Sequence, residues 1–323
     1  MPFKHHAARR HRIPQARYRV RNWREYEAGL KRRGDLTLWL EEAAIAGWQA
    51  PRRTTPGGQA WYSEVAIELV LMLRLVFHLA LRQAEGFARS VLRLLGQALR
   101  VPDHTTLSRR GRGFAGRRPE AAPHGPLHLV IDSSGLKLFG QGEWDAEKHG
   151  RARRSWRKVH LAVDAGSGEI VACVLTDKDA DDAGQVPALL EQIGGEIASV
   201  TADGAYDGEP VYQAVADHQP DPPPDVVIPP RASAVPSTED AEARSQRDRH
   251  IRLIMERGRM AWQRATGYGR RSLAETAVGR YKAIVGPKLR ARSLPAQQGE
   301  AAIAVAVLNR MIRVAKPISV RVA

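Results

Sequence analysis

The sequence has a single cysteine, Cys173, among 323 residues. One thiol excludes an internal disulfide and any cysteine-rich zinc site, and it fits a reducing compartment. Cys173 stands in the apolar run EIVACVLT, which marks a buried structural thiol rather than a nucleophile. Acids are scarce too: 35 Asp and Glu face 50 Lys and Arg, a net charge of +15. Such an excess points to a polyanionic partner, nucleic acid first and an anionic membrane surface second. Long apolar runs are missing. The nearest approach, from Ala66 to Leu81, contains Glu68, Arg74 and His78 and falls short of the roughly 20 apolar residues a membrane span needs. It reads as a helix buried on most faces. The N-terminus MPFKHHAARRHR has no apolar segment behind it, so no signal peptide is expected.

What is present is a hydrophobic content of 43%, enough for a packed core. The positive charge is concentrated in blocks. Residues 1–33 carry 11 Lys/Arg and two acids, and residues 148–158 (KHGRARRSWRK) carry six and none. Residues 244–292 carry 14 against three. The stretch 160–240 is acidic and reads as a folded α/β region.

Short helices with aromatic anchors are expected from about Trp23 to Trp61. Between Ser63 and Phe114 the pattern is helical: Ser63 caps a long helix, a second covers about Ala84–Leu99, and Asp103 caps a short basic third. Helix, tight turn and short basic helix form the helix-turn-helix pattern, although any helical hairpin shares it. Thr105, Thr106, Arg109 and Arg110 on the third helix are the expected DNA-contacting residues. The Gly-, Pro- and Arg-rich residues 115–126 read as a linker. Strands follow in LHLVIDSSGLKLF, ending near Asp132, and in SWRKVHLAVD and EIVACVLTD, joined by a turn at Asp164–Gly168. Then come a helix, a strand ending at Asp203, a helix, and a strand in PDVVIPP. The polar stretch around residues 229–250 reads as a small insertion, and helices close the chain. The domain scheme is therefore 1–62 (basic arm and short helices), 63–114 (helix-turn-helix), 115–126 (linker) and 127–323 (α/β domain). Lys148–Lys158, with Arg154 and Lys158, is a candidate DNA-backbone contact, or else a solvated hairpin end. Trp144 and Trp156 read as stacking residues or loop anchors, and His149 and His160 as structural histidines.

Asp132 and Asp203 each follow an apolar run, and carboxylates at strand ends project where chemistry is usually placed. Either one alone equally suits a turn or a helix cap. Glu275 lies in YGRRSLAETAVGRYK, an acid among cations. Ser272-Leu-Ala-Glu275 fits a capping box, in which Glu275 turns back onto the backbone. In the competing reading Glu275 is a metal ligand facing outward with Tyr268, Arg271 and Lys282, while Leu273, Ala277, Tyr281 and Ile284 pack. Three carboxylates from two strands and one helix can hold two divalent cations, and an oxygen-only donor set suits Mg²⁺ or Mn²⁺.

The spacing Tyr268-x2-Arg271-x3-Glu275-x6-Lys282, with Asp132 in LVIDSSGLKLF and Asp203 in TADGAYD, resembles the Y-R-E-K signature of bacterial insertion-sequence transposases of the DDE class. RRSWRKVHLAVD and RNWREYEAGLKRRGDLTLWL also look like that family, and the similarity spans nearly the whole chain. The resemblance implies a ribonuclease-H-like mixed-sheet catalytic domain behind an all-helical DNA-binding domain. It further implies Asp132, Asp203 and Glu275 as catalytic metal ligands, with Tyr268, Arg271 and Lys282 on phosphates near the cleaved end. The implied activity is Mg²⁺-dependent cleavage at terminal inverted repeats and transfer of the 3′-OH ends into target DNA. A homodimer on double-stranded DNA, in a bacterial cytoplasm at the nucleoid, is the implied setting. Two other readings keep the same residues: a nuclease that cuts without strand transfer, and a non-catalytic DNA-binding regulator descended from a transposase.

Overall fold

The computed structural model describes residues 17–120, 125–138, 156–238 and 245–322. In chain order the elements are β1 (Arg17–Val20), α1 (Trp23–Arg32), α2 (Leu36–Trp39), α3 (Glu42–Ala46), α4 (Glu64–Val76), α5 (Leu81–Leu94) and α6 (His104–Gly111). After these come β2 (Leu127–Leu138), β3 (Trp156–Asp164), β4 (Ile170–Asp177), α7 (Val186–Leu190), β5 (Ile197–Thr201), α8 (Glu209–His218) and β6 (Asp225–Val227). The chain closes with α9 (Gln246–Thr266), α10 (Ser272–Arg280), β7 (Lys288–Leu289), α11 (Leu294–Val314) and β8 (Ser319–Val322). Among the described residues no helix is long and apolar enough to cross a membrane.

Two compact units result. One joins the chain ends, up to residue 38 and from residue 311; the other comprises residues 39–310. In the first, β1 pairs antiparallel with β8, Arg17 opposite Val322. Asn22 secures this pairing with its side-chain amide, donating to the Lys316 carbonyl at 2.9 Å and accepting from the Ile318 N–H at 2.7 Å.

The second unit holds both the helical block and the sheet. Ser63 caps α4 by accepting from the Ala66 N–H, and Asp103 caps α6 by accepting from the N–H groups of Thr105 and Thr106, both at 2.8 Å. Each cap satisfies amides that a helix start leaves unpaired. The second helix begins at Leu81, earlier than the sequence suggests, because Gln83 accepts from the Ala80 N–H and closes the first turn.

Among the described residues the sheet has six strands in the order β4-β3-β2-β5-β6, with β7 also on β2. β2–β3 and β3–β4 are antiparallel, while β2–β5, β5–β6 and β2–β7 are parallel. The turn from β3 to β4 is built by Asp164, whose carboxylate accepts from the Gly166 and Ser167 N–H groups. Alternate residues of the central strand, Leu129 and Ile131, pack with Val186, Leu189, Ile197 and Val200. Val130 on the other face is buried as well, as expected for a strand covered on both sides.

β2 does not stop at Asp132. It runs six residues further because its second half keeps its partners: Lys137 lies opposite Trp156 of β3 on one side and Lys288 of β7 on the other. Paired backbone groups have no reason to leave the ladder. The expected single helix in IRLIMERGRMAWQRA is kinked at Gly258, whose φ of 78° a residue with a side chain rarely adopts.

Candidate active site

Parallel pairing sets Val130 beside Thr201. Two residues further along each chain, Asp132 and Asp203 stand at the same level of the sheet. Their positions differ in detail from the sequence expectation. Asp132 is inside β2, not at its end, and Asp203 lies two residues beyond the end of β5. Asp203 accepts from the Ala205 N–H at 2.8 Å and so caps the 3₁₀ turn Gly204–Tyr206. Asp132 accepts from the Ser133 N–H at 2.9 Å. Burial pushes the Asp132 carboxyl up; the Ser133 bond and the Arg271 guanidinium oppose this, and the nearby Asp203 and Glu275 charges reinforce it.

Glu275 reaches the same place from α10. A 3₁₀ turn, Tyr268–Arg271, leads into that helix. The capping box does not form. Ser272 lies inside the helix with its hydroxyl donating to the Gly269 carbonyl, and Arg271 occupies the cap position. Glu275 is therefore free of the backbone; it is exposed and held by the Arg271 guanidinium. The other arm of that guanidinium, Nη1, lies 3.8 Å from Asp132 Oδ2. The buried side of the segment is Ala274, Ala277, Tyr281 and Val285, while Leu273 and Ile284 are half-buried. Both ends of α10 depart from 100° per residue, 3₁₀ before it and a π turn at Tyr281–Val285 after it, which rotates the packed face from the one a regular helix predicts.

Tyr268 is fixed from behind by a chain of contacts. Its ring lies 5.1 Å from that of the buried Trp262. The Trp262 indole N–H donates to His250 Nδ1 at 3.0 Å, and His250 Nε2 meets the Val226 carbonyl of β6 at 2.7 Å. Burial pushes the Tyr268 phenol up to about 12, with Asp203 and Asp132 adding to the shift and Arg271 and Arg259 opposing it. Tyr268, Arg271 and Glu275 line a groove of about 400 Å³ with Met260, Gln263 and Arg264. Those last three escaped notice in the sequence, although the spacing 260, 264, 268, 271, 275 follows a helical stripe. Lys282 lies in the π turn, half-buried.

Among the described residues no three acid or histidine side chains are grouped tightly enough to hold a metal as they stand. Arg271 occupies the space between Asp132 and Glu275. The donor chemistry nevertheless fits a hard divalent cation, because the groups are all carboxylates and their mutual repulsion is part of what raises Asp132. A cation that displaced Arg271 would meet oxygen ligands from β2, from the turn after β5 and from α10.

The other candidate residues are placed as follows. Lys158 is half-buried, its ammonium donating to the Ala180 carbonyl at 2.8 Å and to Asp182 at 3.1 Å. His160 is fully buried beside Thr176 Oγ1 at 2.9 Å, and burial lowers its pKa. Tyr206, also unforeseen, lies buried behind Asp132 and Asp203, and its phenol is pushed up by burial. Trp156 is exposed at the start of β3. Arg154, His149 and Trp144 lie outside the described residues. In the helix-turn-helix segment, Thr105 and Thr106 are tied to Asp103, whose carboxyl their hydrogen bonds lower to about 2. Arg110 donates to the Tyr62 carbonyl. Arg109 is exposed and lines a groove with His104, Thr105, Arg82 and Arg112. Cys173 is a free, half-buried cysteine whose thiol is pushed up to about 12 by burial.

Residues 123–310 match a family described as "Transposase DDE domain", and residues 31–141 match a second family of the same description. Among solved structures, the cryo-EM structure of piggyBac transposase synaptic complex with hairpin DNA is similar over 93% of this chain and 77% of that one. The two share 11% identity at a TM-score of 0.38. The first family match extends over more than half of the sequence and takes in Asp132, Asp203 and Glu275; the chain belongs to the transposase DDE-domain family.

Proposed function

We propose that this chain is a DNA transposase. It cuts DNA at the terminal repeats of a mobile element of the insertion-sequence kind and joins the freed ends to target DNA. The observation that carries the reading is the arrangement around Arg271. One guanidinium touches Asp132 and Glu275, from elements more than 130 residues apart in sequence, at the sheet level where Asp203 also stands. Asp132, Asp203 and Glu275 would hold Mg²⁺ or Mn²⁺, two ions at full occupancy. A divalent cation bound there supplies Lewis acidity to the scissile phosphate.

The chain's own residues account for the rest. Arg271, released from the carboxylates, has a planar fork suited to a phosphodiester. Tyr268 lines the same groove and is held in place by Trp262, and Lys282, from the π turn after α10, would add a further phosphate contact. Water attacks phosphorus and the P–O3′ bond breaks, leaving a 3′-OH. That hydroxyl then attacks a target phosphodiester, forming one P–O bond as another breaks. No enzyme nucleophile enters, in keeping with the raised thiol pKa of Cys173. The mixed sheet with β2 central and antiparallel to β3 supports a ribonuclease-H-like reading of residues 127–323. The caps at Ser63 and Asp103 and the exposed Arg109 support residues 63–114 as a helix-turn-helix that recognises the repeats. Joining two ends calls for a homodimer on DNA, in the bacterial cytoplasm.

The test is a strand-transfer assay with a 3′-labelled terminal-repeat duplex, a supercoiled plasmid and MgCl₂ or MnCl₂. The full chain gives cleaved and joined products, and Asp132→Asn gives neither. Cleavage without joining would favour the nuclease. Equal products from wild type and variant, or none from either, would overturn the active-site assignment.

A further inference from the structure

Away from the acids, a second cavity of about 370 Å³ opens between α4, α6 and the chain entering α11. Its polar lining is lopsided. Arg74 comes from α4, Arg112 from just beyond α6, and Arg290 and Arg292 from the segment after β7; Glu300 of α11 is the single carboxylate. Glu300 is already engaged, accepting from the backbone N–H groups of Arg290 at 3.0 Å and Ala291 at 2.8 Å. Arg290 donates from Nη1 to the Leu79 carbonyl at 3.0 Å. Among the described residues none of the four arginines forms an ion pair within 4.0 Å. Arg74 Nε is buried without a hydrogen-bond partner. Burial lowers the Arg74 pKa, Glu300 counters this, and Arg290 adds to it.

A half-buried guanidinium beside like charges, with one buried N–H unused, is costly unless something negative completes it. The walls do not close to relieve it. Gly299 of α11 crosses Gly111 so tightly that an added Cβ would stand 2.1 Å from the Gly111 carbonyl oxygen. Arginine forks match the tetrahedral oxygens of phosphate, and the volume suits a small polyphosphate or one nucleotide unit of a backbone. Arg112 also lines the adjoining groove of about 540 Å³ with Arg82 and Arg109, so a backbone running along α6 has a route to the cavity.

We propose that this arginine-lined cavity is a phosphate-binding site separate from the carboxylate site, its ligand a phosphate group supplied by a free anion or by a nucleic-acid backbone. The site stands whether or not the chain transposes DNA, so its test uses no cleavage readout.

Inorganic pyrophosphate is titrated into the full chain in metal-free buffer at constant ionic strength, followed by thermal unfolding and calorimetry. Wild type and Asp132→Asn show the same saturable rise in melting temperature with one site. Arg292→Gln, on the exposed rim, weakens binding by roughly tenfold or more. Arg74→Met abolishes it and, without anion, melts no lower than wild type, since a half-buried charge with an unmet N–H has gone. A duplex arm then separates the sources. Displacement of a short DNA duplex by pyrophosphate from wild type but not from Arg74→Met identifies a backbone phosphate. Pyrophosphate binding that leaves duplex affinity unchanged identifies a free anion. No saturable response in wild type, or a response in Arg74→Met and Arg292→Gln equal to that of wild type, would overturn the proposal.

Discussion

Arg271 Nη1 stands 3.8 Å from Asp132 Oδ2, and the same guanidinium grips Glu275. It serves as an internal countercharge for a group of acids that otherwise repel one another. A divalent cation has to compete with it. Arg271→Ala therefore binds Mn²⁺ several-fold more tightly than wild type, as read by calorimetry. On the proposed function it also cleaves DNA about 100-fold more slowly, because the phosphate loses its fork. Slower cleavage with weaker Mn²⁺ binding would contradict the countercharge role.

Asp207 sits at the end of the turn that Asp203 caps. Its side chain is fully buried and accepts from Arg247 Nε at 2.7 Å and Nη2 at 3.1 Å, and from the Arg231 N–H at 2.8 Å. Removing Asp207 leaves the half-buried Arg247 guanidinium and the Arg231 N–H without their acceptor, at a cost of about 1–3 kcal/mol. Asp207→Ala should lose about that much in urea unfolding. Mutating both Asp207 and Arg247 to apolar residues should recover part of it.

One buried and one half-buried histidine give the fold a dependence on pH. Burial lowers the pKa of both His160 and His250 from the ordinary value of 6.5. The folded chain then binds fewer protons than the unfolded chain as pH falls through about 6.5, so stability declines on that side and is retained above it. Protonating His250 Nδ1 would also abolish its bond from Trp262. Melting temperature should fall between pH 7.5 and pH 5.5, and His250→Gln should flatten part of that slope. A flat profile in wild type would refute the assignment.

Gly299→Ala tests the crossing of α11 over the end of α6. A methyl group 2.1 Å from a carbonyl oxygen cannot be accommodated without moving backbone. Overpacking of this kind costs about 1–3 kcal/mol, measurable by chemical denaturation. Gly113→Ala, where an added Cβ meets nothing within 4 Å, is the matched control.

The caps at Ser63 and Asp103, the Asp164 turn and the long last helix were legible because their determinants lie within a few residues of one another. The length of β2 was not, since the second half of Leu127–Leu138 stays extended between β3 and β7, and β7 comes about 150 residues later. Two-residue β7 carries no periodicity to read. The β1–β8 pairing joins opposite chain ends for the same non-local reason. At the site, sequence named Asp132, Asp203 and Glu275 but left Glu275 open between a cap and an outward-facing acid. The 3₁₀ turn before α10 decides this by moving the cap position to Arg271. Lys158 looked like a free surface cation in its basic run, and only folding shows Asp182 beside it.

β2 bonds to β5 along its first half and to β7 along its second. Asp132 sits near the changeover, and α10 is strung between the two halves, leaving through Gly286 into β7. Glu275 and Asp132 are thus two points on one closed circuit of chain, fastened by a ladder of amides. The backbone that carries Glu275 is tied at its far end to the strand that carries Asp132.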